Sequence, residues 1–314
     1  MIKYILILFL SLNLFAIEDL EPNKIFKASG TVQSIVYKNN KLYAGTSNGS
    51  VEIFDLNTSE KIQTITLPKI KDFIGDIIPA KIYSIDLFED KILIVSQGMK
   101  GYRNVFLYEN EKLHKIIDIK KRYYINKAYF ISNEKIVFAL LSNEIGVYNF
   151  KTKKLDYLVQ ISHSSFSDFM ISQNKKTIAT TDESGKVRVV DLNTAQIIKE
   201  PKALNLDKVY KIDYKNDVIL TAGQDRKSVI YNDISTYFFD FDFLIYSCAL
   251  SPKAKLGAIA YNEKNEVLVF DVKTKDKLYN LKKQRATLTQ ILFINENEVF
   301  TSSDDSNINY FKLN

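Results

Sequence analysis

Only His114 and His163 carry an imidazole in this chain, and Cys248 holds its one thiol. Acid–base, nucleophilic and metal chemistry draw on such groups together with carboxylates. No HExxH, CxxC, GxSxG or phosphate-loop spacing brings them together. His114, in EKLHKII, falls on an outer strand facing solvent. Cys248, in IYSCALS, has apolar neighbours and reads as a small buried core residue. Asp304 and Asp305 sit in a hairpin turn, which Asp favours for its geometry. A calcium site there needs further oxygen ligands, and the sequence does not show them together. The expectation is therefore no enzyme, no catalytic residue, no cofactor and no metal.

The chemistry that does stand out is basic and aromatic, and it lies in loops. Residues 68–81, PKIKDFIGDIIPAK, carry Phe73, Asp76 and Ile77 outside any regular strand. Residues 96–104, SQGMKGYRN, supply Lys100, Tyr102 and Arg103. KKRYY supplies Arg122 and Tyr123 beside Tyr124, QDRK supplies Arg226, and KKQR supplies Arg285. Arg and Tyr dominate protein interfaces because they combine area with directed hydrogen bonds. These residues are the candidate protein-binding face; the competing reading is solvated loop residues. The net charge of +6 is a weak pointer to acidic partners.

The elements that would hold those loops are repeats. KTIATTDESGKVRVVDL at residues 176–192 reads strand, polar turn, strand, and similar runs begin at Lys41, Lys135, Lys255 and Glu298. Looser copies begin at Lys91 and Asp217. Leu42, Ile92, Ile136, Ile178, Val218, Leu256 and Val299 recur at intervals of roughly 40 residues, the length of a four-stranded blade. Third strands are apolar on both faces, as in Val51/Ile53 and Phe54/Leu56. A half-exposed strand would alternate with polar residues, so each blade is expected between two neighbours. The fold class is all-β, a seven-bladed propeller.

The copies resemble WD40 repeats over nearly the whole chain. They depart from them in having no Trp: Phe54, Tyr108, Tyr148, Val190, Tyr231, Phe270 and Phe311 fill that position. The following Asp survives as Asp55, Asp191 and Asp271. The resemblance implies a structural role for His163, bonded to a Ser/Thr and an Asp of its own blade, with Thr181 and Asp182 as the candidates, and it places the loops above on one rim. The last copy ends on its third strand, which would leave an edge exposed. Residues 24–29, KIFKAS, are expected to pair with residues 309–313 and close the ring.

MIKYILILFLSLNLFA has a short positive start, an apolar run and a small residue at a cleavage point, the pattern of a secretory signal peptide. The expected organisation is 1–16 signal peptide and 17–314 one propeller. That organisation implies a periplasmic, monomeric protein with no membrane span after cleavage, and it argues against nucleic acid as a partner. Residues 68–98, TAGQDRKSVIYN at 221–232 and LSPKAKLGAIAYN at 250–262 resemble the NapL-type family of exported propellers. The resemblance implies an accessory role, with nitrate reductase components as partners. Two alternatives stay open: a general cell-envelope scaffold, and a propeller hydrolase with a metal in its channel, which the scarcity of His disfavours.

Overall fold

A computed structural model describes residues 17–314 apart from Ile234, so the signal-peptide segment lies outside the described residues. Seven antiparallel sheets of four strands are laid out in chain order. Blade 1 runs Val32–Lys38, Lys41–Thr46, Ser50–Asp55 and Lys61–Thr66 from the axis outward. Blades 2 to 6 begin on Ile82–Phe88, Ile125–Phe130, Phe166–Ile171, Val209–Lys215 and Cys248–Leu250. Blade 7 holds Leu288–Asn295, Glu298–Ser303 and Asn307–Lys312, and its fourth strand is Lys24–Lys27. No helix among the described residues is long and apolar enough to cross a membrane.

Seven apolar clusters lie between blades. One joins Leu93, Val105 and Leu107 of blade 2 to Phe130, Phe138 and Phe150 of blade 3. Another joins Val267 and Leu281 of blade 6 to Val299 and Phe311 of blade 7. Burial on both faces explains why the third strands read as unbroken apolar runs. The three surviving aspartates after the Trp position have a local task. Asp55 accepts from the amides of Asn57 and Thr58 at 2.8 and 3.0 Å. Asp191 and Asp271 repeat this with Thr194 at 2.8 Å and Thr274 at 2.7 Å. Each fixes the turn into an outer strand, as Asx turns do.

The N-terminal strand closes the ring, with a register that differs from the expected one. Lys24 faces Tyr310 and Lys27 faces Asn307, so the partner segment begins two residues before 309. Phe26 sets this register: its ring enters the seam between Phe54 of blade 1 and Phe300 of blade 7. A second attachment was not expected from the sequence. Glu18–Leu20 adds a fifth strand, parallel, to the outer edge of blade 6, with Asp19 opposite Asn280. Asp19 accepts from Asn280 at 2.9 Å and from Lys282 at 2.6 Å, and Lys283 pairs with Glu21 at 3.3 Å. Part of the basic KKQR run is thus neutralised by the chain's own acidic start.

Candidate functional site

The rim that carries the second-to-third-strand hairpins and the connections between blades holds every candidate residue. Its most prominent feature is the connection from blade 1 to blade 2. Ile70–Lys71 and Ile77–Ile78 pair as a small hairpin above the disc. The Asp72 carboxylate accepts from the amides of Ile74, Gly75 and Asp76 at 3.0, 2.8 and 2.9 Å, which fixes the turn. Gly75, at φ 101°, takes the one position there that disfavours a side chain. The turn presents Phe73, 96% exposed, with Ile74 and Ile77 at 80% and 68%. Asp76 stands exposed beside them.

An open cleft of about 820 Å³ separates this hairpin from the Met99–Gly101 turn of blade 2, with Phe73 on one wall and Lys100 on the other. Behind that turn, Tyr102 and Tyr124 meet at 4.8 Å between ring centroids. Tyr123 stacks on Phe138 at 5.6 Å, and its carbonyl accepts from the Arg103 amide at 3.0 Å. Arg122 follows the Ile119–Lys121 turn in a left-handed conformation and is exposed.

Arg103 is not a free rim charge. Its guanidinium lies 4.0 Å from the centroid of the Tyr83 ring at the channel mouth and donates to the Gly101 carbonyl. Burial lowers its pKa, and its Nε has no partner. The structure thus brings Phe73 and Lys100 to opposite walls of one cleft, while Asp76 and Ile77 stand exposed on the hairpin outside its lining and Tyr102, Arg103 and Tyr123 follow behind the Met99–Gly101 turn. Arg226 and Arg285 are exposed on blade 5 and on the connection from blade 6 to blade 7, and nothing links them to the cleft.

The expected bond from His163 is absent: His163 is exposed. The buried Asp182 takes its donors elsewhere, Arg188 at 2.6 Å and the Ser184 amide at 2.9 Å. Thr181 Oγ1 donates to the Lys186 carbonyl at 3.0 Å. Burial pushes the Asp182 carboxyl up, but hydrogen bonds from Ser184, Ser162 and Arg188 hold it below the usual carboxylate range. The arginine that replaces the imidazole lies six residues on, where the sequence gives no cue.

Sequence reasoning also missed the polar girdle of the central channel, because a polar residue in a strand reads as solvent-facing. Side chains of the innermost strands stitch most blades to the next. Ser34 accepts from the Ile85 amide and Ser84 from the Ala128 amide, both at 3.3 Å. Asp168 accepts from the Ile212 amide at 3.2 Å, and Gln290 exchanges two bonds of 2.9 Å with Ile35. One level along, Asp86 accepts from Phe130 and Asp213 from Leu250, both at 2.7 Å. Lys127 pairs with Asp168 at 3.0 Å. Burial opposes the Lys127 ammonium, yet Asp168 and Tyr129 outweigh it and raise its pKa. Among the described residues, no three His, Cys, Asp or Glu side chains converge as a metal site requires.

Seven blades of four strands, latched by an N-terminal strand, define a WD40-like β-propeller. The β-propeller domain of Myceliophteria thermophila Cps50 (Swd1) is similar in structure, with a TM-score of 0.75 and 13% sequence identity over 93% of this chain and 99% of that one. At that identity the likeness speaks to the fold alone. No family model and no curated protein matches the sequence.

Proposed function

We propose that this propeller is a non-catalytic protein-binding platform, exported to the periplasm, and that it serves a nitrate reductase system as an accessory or assembly factor of the NapL type. The observation that carries the binding reading is the hairpin at residues 70–78. Phe73, Ile74 and Ile77 stand in water on a turn held rigid by Asp72. Large apolar side chains on a fixed scaffold, flanked by charge, are how docking sites are built. Lys71 and Lys100 supply that charge, and they suit a partner with acidic groups around an apolar patch. The leader-like first residues support export. The runs at 221–232 and 250–262 support the family.

The test is capture of nitrate reductase subunits from a periplasmic extract by the mature chain, read by mass spectrometry. Nitrate reductase subunits should be enriched by the wild type, released by added salt, and lost with Phe73→Ala combined with Ile77→Ala. Recovery of other envelope proteins in their place would move the reading to a general scaffold. Undiminished recovery by the double variant would remove the hairpin as the contact.

A further inference from the structure

The channel girdle has a gap. At the positions on blades 5 and 6 that match Ser34, Ser84 and Asp168, the side chains are Lys211 and Ser247, and neither bonds to the next blade. Ser247 is 1% exposed and its Oγ has no hydrogen-bond partner. Lys211 is half-buried, and its Nζ has no ion pair or hydrogen bond among the described residues. Both line a small cavity of about 100 Å³ on the axis, together with Lys127 and Asp168.

The protein's own carboxylates there are already engaged. Asp168 serves Lys127 and the Ile212 amide. Asp213 serves the Leu250 amide and pairs with Lys215 at 3.3 Å. Lys211 therefore has no ion-pair partner of its own, and it lines the same cavity as a hydroxyl without a partner. A water molecule would satisfy the hydroxyl but leave a Lys211 ammonium uncompensated.

We propose that the channel binds one small inorganic oxyanion, such as phosphate or sulfate, between Lys211 Nζ and Ser247 Oγ. Several acceptor oxygens on one centre let a single ion take both donors and reach toward Lys127, and charge-assisted hydrogen bonds of this kind are among the strongest in proteins. The cavity admits an ion of that size. The Arg103 guanidinium over Tyr83, which itself lines the cavity, gives the mouth a positive lip. Burial, and then the neighbouring Lys127 charge, weaken protonation of Lys211 against the pull of Asp168; a bound anion would reverse that.

The proposal does not rest on the protein-binding reading. It is tested by titrating the mature chain with sodium phosphate and, separately, sodium sulfate in a calorimeter, at constant ionic strength set with sodium gluconate. The expected result is saturable uptake of one ion with a Kd at or below about 1 mM. Lys211→Met should weaken it at least about tenfold, and Ser247→Ala severalfold, the loss of a hydrogen bond to a charged group. Lys154→Met, exposed on the outer strand of blade 3, should bind as the wild type does. If Lys211→Met fails to fold by circular dichroism, Ser247→Ala carries the test. The proposal is overturned by no saturable heat up to about 10 mM, by both channel variants binding like wild type, or by chloride binding equally well.

Discussion

Phe26 meets Phe300 edge-to-face, with ring centroids 5.7 Å apart. The first ring belongs to the fourth strand of blade 7 and the second to its second strand, so this contact spans most of the chain. Phe54 of blade 1 completes the sandwich at 5.9 Å. Phe26 is fully buried, and Phe26→Ala should cost about 3–5 kcal/mol of stability, read as a fall in Tm. Removing residues 17–29 should cost more, because it takes away both attached strands. A Tm within a degree or two of wild type for either would show that the latch is not what closes the ring.

Asp182 and His163 are predicted to separate cleanly. Asp182→Ala takes from Arg188, 8% exposed, its buried partner and leaves it only the exposed Glu200 at 2.9 Å, a loss of about 1–3 kcal/mol. His163→Ala should stay within about 0.5 kcal/mol, as exposed substitutions do. Urea denaturation of both variants decides the point, and a large loss at His163 would restore the imidazole to the structural role its spacing suggests.

Asp86 makes stability depend on pH. Burial first, offset by the Phe130 amide and by Lys175, raises its carboxyl from 3.8 to about 6. Between those values the folded chain holds a proton that the unfolded chain has released. Asp86 therefore contributes a stability that is complete below about pH 4 and lost as pH rises to about 6, at most about 3 kcal/mol. Asp86→Asn keeps an acceptor for the Phe130 amide and removes the titration. Wild type minus variant, measured by denaturation from pH 4 to 7, should fall across that window and then level. A flat difference would refute the raised carboxyl pKa.

Phe73→Ala should change Tm by no more than about 0.5 kcal/mol would produce, since the ring touches almost nothing. Its effect should appear only in capture of a partner. Arg226→Glu, also exposed, tests how far a docking face extends around the rim. Retained capture with Arg226→Glu alongside lost capture with Phe73→Ala would confine the contact to the first inter-blade connection.

Cys248 is buried beside the Lys211 and Leu220 carbonyls, and burial raises its thiol well above the usual range. Labelling by a thiol reagent at pH 7.5 should be negligible in the native protein and prompt in urea. Rapid native labelling would mean the channel wall opens readily.

Blade number, strand order and the closing segment are legible in the sequence because each blade repeats one demand: a third strand that is apolar on both faces. Residues 24–29 stood out because they were a spare strand opposite a missing one. Glu18–Leu20 was illegible for the opposite reason. Two of its three residues are acidic, and their partners, Asn280 and Lys282 for Asp19 and Asn314 for Glu18, are brought near only by the fold. The loop residues were read as one rim, which fixes their side of the disc but not their burial. Arg103 shows the difference, since an aromatic twenty residues away takes its guanidinium. Lys211 and Ser247 carried no signal, because their character lies in what their counterparts on other blades do.

The pairing of Asp19 with Asn280 joins positions 261 residues apart. A ribosome delivering this chain from its amino end must leave the first strand idle until nearly the whole polymer has been made. Assembly thus has an obligatory final act, and until then the unfinished circle offers two open flanks to any chaperone or stray strand that meets it.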